Sequence, residues 1–259
     1  MKIYILADME GVSGLRVMSQ VQSDSPEYAE GRKLMIDEMN AAVDAAFAAG
    51  ATEVIAADTH GSGVQLRIGE MDARAIYERP NAGRMMPSLD KSFSGVILLG
   101  HHARAGTFNG FLDHTMSSMS WFEYRLNGQV MGEIGIEAAY AGHYDVPVIM
   151  VSGDEAAAVE ATELLGDVEC AIVKWGIGRN VAKCLPVRRA HETIRQSITR
   201  ALAAPERFKP FKPVLPATIE LTLYRSDMAD DLAVHPDVER VDARAVRRTI
   251  TTLLDVRRF

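Results

Sequence analysis

Cysteine is scarce in this sequence, with only Cys170 and Cys184 among 259 residues. Two cysteines cannot build a disulfide framework, and they cannot supply a thiolate cluster for a metal ion. Such sparing use of cysteine suits the reducing interior of a cell. The pair therefore indicates neither a disulfide scaffold nor a sulfur-based metal centre.

Long apolar runs and an excess of positive charge are also missing. No uninterrupted apolar segment approaches the ~20 residues that a membrane span requires. The first acid stands at position 8, so the amino-terminal segment lacks the apolar core of a signal peptide. The formal net charge of −7 argues against a general binder of nucleic acids or anionic membranes. We therefore expect a soluble cytoplasmic protein with no nucleic-acid or membrane partner.

What the sequence does contain is an alternation of strand and helix signals, as in α/β proteins. Short apolar runs rich in β-branched residues predict buried strands, and apolar residues at helical spacing predict helices between them. The predicted strands are 3–7, 53–58, 95–100, 146–151 and 170–174, and the predicted helices are 26–49, 133–143, 155–165 and 186–203. This order predicts an α/β fold with a mostly parallel central sheet flanked by helices. Segment 64–92 is interpreted as a loop with a helical turn.

The composition changes near residue 205, where prolines stand at 205, 210, 213 and 216. This spacing predicts a stiff, extended connection. The alternating segment Thr218–Tyr224 predicts a half-exposed strand. Arg244–Leu254 is interpreted as a last helix, and the arginines in and after it as a solvated face. We therefore predict an α/β core over residues 1–205 and a smaller C-terminal α+β appendage, a strand–helix subdomain, over 206–259.

The first predicted strand ends in two carboxylates, Asp8 and Glu10. Because side chains alternate along an extended chain, residues two positions apart point to the same side. Two acids at the end of a buried strand repel each other and resist desolvation, so they need a counter-charge, most simply a bound cation. The alternative is a solvated turn in which Asp8 caps the next element.

Two further predicted strands also end in residues that can bind metals. The second strand ends at Asp58, with His60 two positions later, and the third is followed by His101 and His102. Sites in open α/β sheets form outside the carboxyl ends of the strands, so neighbouring strands would bring these residues to the first pair. Additional candidates lie on a predicted helix and in a glycine-flanked stretch. The full set of candidates is Asp8, Glu10, Asp58, His60, His101, His102, His114 and Glu133.

Each candidate also has a plainer explanation by itself. An isolated histidine is more often a surface or hydrogen-bonded structural group, and Asp58 could cap the turn before Gly61. As a set, carboxylate and imidazole ligands without sulfur suit Zn²⁺, Mn²⁺ or Co²⁺. If five of these candidates bind metal, they exceed what one tetrahedral ion uses. Such a set indicates two ions with a bridging ligand and a hydroxide between them.

Five separated motifs carry a family resemblance. They are Asp8-Met9-Glu10-Gly11-Val12-Ser13-Gly14, Asp58-Thr59-His60, Gly100-His101-His102-Ala103-Arg104-Ala105, Asp113-His114-Thr115 and Gly132-Glu133-Ile134-Gly135. In order and spacing they resemble the signatures of the M55 peptidases, a family of D-aminopeptidases. The agreement extends from residue 1 to about 185, and the likeness is weak after about 205.

The resemblance implies a dinuclear zinc aminopeptidase, with two Zn²⁺ per subunit, that releases N-terminal D-amino acids by means of a metal-bridging hydroxide. It implies that His114 is catalytic, and it selects His102 over His101, which takes the place of an aromatic residue. It also implies short peptides or amino-acid amides as substrates, and a ring-shaped homo-oligomer, a decamer, that encloses the active sites. The implied metal ligands are Asp8 as the bridge, then Glu10, His60, His102 and Glu133.

Other functions share part of this pattern. An L-specific aminopeptidase or another metal-dependent amidohydrolase would carry the same ligands, because D-selectivity rests on the resemblance alone. A phosphatase of the haloacid dehalogenase type would use Asp8 as nucleophile and Asp154 for Mg²⁺, but its second acid would fall at Ala158 and the histidines would be unexplained. A non-enzymatic metal-binding assembly protein would have a closed site without a position for water.

Overall fold

The computed structural model describes residues 1–81 and 83–259. The strands are β1 (Lys2–Ala7), β2 (Glu53–Asp58), β3 (Ile76–Glu78), β4 (Gly95–His101), β5 (Trp121–Leu126), β6 (Gln129–Met131), β7 (Val148–Asp154), β8 (Glu169–Gly178), β9 (Val181–Cys184), β10 (Ala217–Leu223), β11 (Glu239–Arg240) and β12 (Ala245–Ile250). The α-helices are α1 (Tyr28–Ala48), α2 (Glu133–Gly142), α3 (Glu155–Leu165), α4 (Val187–Ala203) and α5 (Ser226–Ala233). In this part of the chain, α1 is followed by five strands before α2, and strands and helices then alternate as far as β8.

The first sheet has the strand order β3-β2-β1-β4-β7-β8-β9. Its neighbours are parallel except at the edge, where β9 runs antiparallel to β8. The predicted α/β class with a mostly parallel sheet is therefore confirmed. In this order β1 lies between β2 and β4, so the carboxyl ends of these three strands meet at one edge of the sheet.

Helices and a second sheet cover the two faces of the first sheet. Along β1, Ile3 and Ile5 pack in the cluster that contains residues of α1 and α4. The alternate residues Tyr4 and Leu6 pack in the cluster that contains α2, α3 and the second sheet. Burial on both faces explains why β1 reads as one continuous apolar run. No helix in the described ranges is long and apolar enough to cross a bilayer.

The second sheet is antiparallel, with the order β11-β12-β10-β5-β6. It joins β5 and β6, which the sequence reading did not predict, to strands from the end of the chain. A hydrogen bond of 2.6 Å from Tyr124 Oη on β5 to the Val256 carbonyl oxygen strengthens this connection inside the core. The sheet therefore combines strands from both sides of residue 205, and the division proposed there stays a prediction.

The predicted helix over Arg244–Leu254 is wrong. Residues Ala245–Ile250 form β12, and a 3-10 turn follows at Leu253–Asp255. The physical reason is that side chains in this segment alternate between the two faces of a strand. Val246 and Ile250 face the core, and Arg247 lies opposite Glu220 across the sheet. The Arg247 guanidinium contacts the Glu220 carboxylate at 2.9 Å. Arg247 and Arg248 therefore lie in the strand, and the other arginines precede it or follow the turn, instead of sharing one helix face.

Candidate metal centre

The carboxyl ends of β1, β2 and β4 bring the predicted ligands to one place. Asp8 directly follows β1, His60 lies two residues after β2, and His102 directly follows β4. The strand register places Ala7 beside both Asp58 and Leu99, so these ends are level with one another. Glu133 is the first residue of α2. The fold thus brings together residues that are far apart in the sequence.

One half of this site consists of His60, Glu10 and Asp8. The Nδ1 atom of His60 lies 3.1 Å from Glu10 Oε2 and 3.3 Å from Asp8 Oδ1. Its Nε2 atom lies 3.1 Å from the Val21 carbonyl oxygen, which can only accept a hydrogen bond. This hydrogen bond fixes the ring and directs Nδ1 toward the two carboxylates.

The other half consists of His102, Glu133 and the second oxygen of Asp8. The Nε2 atom of His102 lies 3.2 Å from Asp8 Oδ2 and 3.3 Å from Glu133 Oε1. Its Nδ1 atom donates to the Ala103 carbonyl oxygen at 2.9 Å. Each oxygen of Asp8 therefore faces a different histidine–acid pair, which is the arrangement that a bridging carboxylate needs.

The donor atoms of these two groups fit divalent cations. Nε2 of His102 is buried and forms no well-directed hydrogen bond, although two carboxylate oxygens lie near it. Burial disfavours a charged His60, yet the negative charge of Glu10 and Asp8 outweighs it and raises the pKa of His60 to about 12. The site thus attracts positive charge strongly. A metal ion would supply that charge and displace the protons from the imidazoles.

His114 stands beside this cluster on a loop of unusual backbone conformation. Leu112 and Met116 on either side have φ values of 51° and 57°, in the left-handed region. The His114 ring stacks on His102 with 4.0 Å between ring centroids. Its Nδ1 atom donates to the Leu112 carbonyl oxygen at 2.9 Å, and Nε2 lies 3.5 Å from Glu133 Oε1. With 16% of its side chain exposed, His114 can reach a bound molecule.

His101 and Asp58, also candidates from the sequence, have other contacts. His101 is fully buried and its Nε2 atom lies 2.5 Å from Glu137 Oε2. Asp58 accepts hydrogen bonds from the backbone N–H groups of His60 at 3.0 Å and Gln65 at 2.7 Å. Asp58 therefore caps the turn after β2, as its plainer explanation predicts. His102 lies beside Asp8 and Glu133, whereas His101 contacts Glu137, and the choice of His102 as a ligand stays a prediction.

Two buried charged residues behind the site were missed from the sequence. Glu137 lies one helical turn after Glu133 on α2, where an acid in an otherwise apolar helix could have drawn attention. Lys174 is buried on β8, and burial lowers its pKa to about 8. Its Nζ atom donates to the backbone oxygens of Glu10 at 2.8 Å and Leu15 at 3.0 Å. Lys174 thus holds the loop that carries Glu10.

Gly11 allows this loop to lie directly on the end of β4. A side chain at this position would place its Cβ atom 2.0 Å from the His101 carbonyl oxygen, which is far inside contact distance. The Gly11 N–H donates to the Gly100 carbonyl oxygen at 2.7 Å. The glycine of the Asp8–Gly14 motif therefore permits the close approach that aligns Glu10 with His60.

A cleft of about 810 Å³ opens onto the two groups. This volume lies in the range of small-molecule sites. Its wall includes the aromatic residues Trp121, Tyr224 and Phe259, and the cationic residues Arg179 and Arg257. His60 and Glu133, one from each half of the candidate centre, line the same space together with His114, so a bound molecule can touch both halves.

Asp154, which a phosphatase would use for Mg²⁺, lies at the start of α3. Its oxygens accept hydrogen bonds from the backbone N–H groups of Phe111 at 2.8 Å and Ala157 at 2.9 Å. This carboxylate therefore caps α3 and supports the loop before His114.

Comparisons with known proteins agree on one family. The sequence profile of the M55 peptidases, described as D-aminopeptidase, matches residues 1–259. A D-aminopeptidase of Bacillus subtilis (strain 168) is 38% identical over 215 residues, which cover 82% of this chain and 78% of that protein. The solved structure of the Zn-dependent D-aminopeptidase DppA from Bacillus subtilis, described as a self-compartmentalizing protease, superposes with a TM-score of 0.95 at 32% identity, covering 99% of this chain and 94% of that one.

Proposed function

The chain belongs to the M55 family of peptidases, and we propose that it is a dinuclear zinc aminopeptidase that removes N-terminal D-amino acids from short peptides or amino-acid amides. The observation that carries this proposal is the position of the Asp8 carboxylate, whose two oxygens face separate histidine–acid pairs. The proposed zinc ligands are Asp8, Glu10, His60, His102 and Glu133. Mn²⁺ or Co²⁺ could bind the same oxygen and nitrogen donors.

The zinc ions would supply Lewis acidity and a hydroxide nucleophile at neutral pH. The protein fixes their ligands by second hydrogen bonds, because His60 and His102 each donate from the far ring nitrogen to a backbone oxygen. Burial of Asp8 and Glu133 excludes water from around the cluster, so charges there interact strongly.

His114 is the proposed catalytic residue. Because its Nδ1 atom is committed to the Leu112 carbonyl oxygen, Nε2 is the atom that exchanges a proton with the cleft. When Nε2 carries a proton, it can donate a hydrogen bond to the substrate carbonyl oxygen as negative charge develops there. The same proton can then pass to the leaving amine.

A panel of paired D- and L-amino-acid amides tests the function and its stereochemistry together. We expect the zinc-loaded protein to hydrolyse the D-amides with a higher kcat/KM than the L-amides, and elemental analysis to find two zinc ions per chain. Preference for L-amides would replace the D-specific proposal with an L-aminopeptidase. Two bound zinc ions without hydrolysis of any amide or dipeptide would favour a metal-binding assembly protein.

We also propose a ring-shaped homo-oligomer, a decamer, that encloses the active sites. The support is the similar DppA structure, described as self-compartmentalizing, together with large apolar side chains exposed on the surface. Phe108 is 89% exposed and Met119 is 79% exposed, which a second copy of the chain could cover. Light scattering coupled to gel filtration measures the mass directly, and a monomer at micromolar concentration would refute the ring.

A further inference from the structure

The charged residues that line the cleft fall into two separate groups. Its acids, Asp8, Glu10 and Glu133, all belong to the candidate metal centre. Its arginines, Arg179 and Arg257, come from other parts of the chain: the turn between β8 and β9, and the segment after the 3-10 turn at Leu253–Asp255. The cleft is therefore lined both by the acids of the candidate metal centre and by guanidinium groups from distant segments of the chain.

The positive charge of Arg257 has no carboxylate partner among the described residues. Its one hydrogen bond within the described residues runs from a guanidinium nitrogen to the Asn81 carbonyl oxygen at 3.3 Å. The neighbouring Arg258, in contrast, lies 3.9 Å from the Asp255 carboxylate and does not line the cleft. Arg257 therefore offers free N–H donors to the cleft, and a carboxylate would be their natural partner.

Arg179 is held in a fixed relation to His114. Its backbone oxygen accepts the Leu112 N–H at 2.7 Å, and the Leu112 oxygen accepts from His114 Nδ1 at 2.9 Å. Its guanidinium lies 3.5 Å from Asp113 Oδ1, while the other Asp113 oxygen accepts the Gly106 N–H at 2.6 Å. Its Nε atom also lies 3.3 Å from the Asp113 carbonyl oxygen, and one terminal nitrogen lies 3.5 Å from Asn180 Oδ1. The other terminal nitrogen has no partner among the described residues and can donate to a bound anion.

The charge balance of the cleft favours an anionic group away from the metal centre. Two divalent cations and the hydroxide between them would balance the three carboxylates of Asp8, Glu10 and Glu133. Arg179 has a long contact with Asp113, and Arg257 forms no ion pair among the described residues, so the arginines add positive charge to the cleft. Resting on the proposed aminopeptidase function, we propose that Arg179 and Arg257 bind the C-terminal carboxylate of a short peptide substrate.

This assignment defines the preferred substrate class as free short peptides. A dipeptide or tripeptide bound through its scissile carbonyl at the metal centre would carry its carboxylate into the cleft that the two arginines also line. An amide lacks the negative charge, and a long peptide carries its carboxylate out of the cleft. A hydrogen-bonded charge pair of this kind contributes enough for a ~10- to 100-fold difference in kcat/KM.

D-alanylglycine and D-alanylglycinamide form a matched pair of substrates, since they differ only at the carboxylate. We expect the zinc-loaded wild type to prefer the free dipeptide by ~10-fold or more, mainly through KM. Arg179→Met and Arg257→Met should each reduce this ratio, and the double variant should bring it close to one. Arg258→Met and Lys183→Met are the matched controls and should keep the wild-type ratio.

A wild-type ratio close to one, or a wild-type ratio retained in the double variant, would overturn the assignment. Calorimetric titration of both compounds into zinc-loaded His114→Ala, with and without the two arginine substitutions, gives a second reading in which hydrolysis is suppressed. Tighter binding of D-alanylglycine than of the amide by His114→Ala, lost when both arginines are replaced, supports the arginine site, even if the wild type cleaves neither compound and the aminopeptidase proposal fails. Equal binding of both compounds by His114→Ala refutes it.

Discussion

Replacing one member of the buried His101–Glu137 pair should destabilise the protein more than replacing both. Both side chains are fully buried, and their closest atoms are 2.5 Å apart. Removing one partner from a buried pair leaves the other without compensation and typically costs 3–5 kcal/mol. We therefore expect His101→Phe and Glu137→Leu each to lower the free energy of unfolding by about 3–5 kcal/mol. In a chain of this size, that loss lowers Tm by roughly 6–20 °C.

The double variant H101F/E137L tests the cause. Apolar residues of similar size often replace a buried ion pair with little loss of stability, so the double variant should recover most of what either single variant loses. Urea unfolding of the metal-free proteins, followed by circular dichroism, measures all four members of this cycle. Glu163→Leu, at an exposed acid on α3, is the control and should change stability by about 0.5 kcal/mol or less. Additive losses in the double variant would show that the two residues do not act as a pair.

The other predictions concern the metal centre and the second sheet. His114→Ala should keep its zinc and lose ~10²–10³ in kcat, because it removes one donor to the developing charge; steady-state kinetics and elemental analysis check both. Asp8→Ala should lose bound zinc as well as activity, and chelation of the wild type should abolish activity that added zinc restores. Tyr124→Phe leaves the buried Val256 oxygen without a donor, so thermal unfolding should show a loss of about 1–3 kcal/mol with kcat unchanged. Full turnover by His114→Ala, zinc retention by Asp8→Ala or wild-type stability of Tyr124→Phe would contradict the respective prediction.

The sequence was most informative at β1, where one local pattern predicts both a buried strand and the metal-binding residues at its end. The run before Asp8 is apolar on both faces because helices and the second sheet cover β1 from both sides. The two acids that directly follow this apolar run therefore indicated a functional site at the edge of the sheet. The neighbouring order of β2, β1 and β4 then brought His60 and His102 to Asp8, as the α/β prediction required.

The choice between His101 and His102 could not be made from strand alternation. Gly100 has a φ of 70°, and a Cβ atom there would lie 2.5 Å from the Asp8 carbonyl oxygen. The backbone turns at this glycine, and the pairing of β4 with β7 is irregular between Leu98 and His101. The simple rule of alternating faces therefore fails at the two residues where it was needed.

The C-terminal part was harder to predict because its strands depend on distant partners. β12 contains three arginine or alanine residues that favour helices, yet its Arg247 pairs across the sheet with Glu220. β5 follows a stretch rich in glycine and serine, and it becomes a strand by pairing with β10 almost a hundred positions later. Arg257 acquires its place in the cleft only through this assembly, so no local pattern could reveal it.

The three imidazoles of the candidate centre are oriented by main-chain oxygens, those of Val21, Ala103 and Leu112. A carbonyl group is present whatever amino acid occupies the position. Of these three residues Val21 lines the cleft, so its side chain can change the shape of the cavity while its carbonyl oxygen still fixes the tautomer of His60. Position 21 is therefore a good place to begin engineering new substrate preferences.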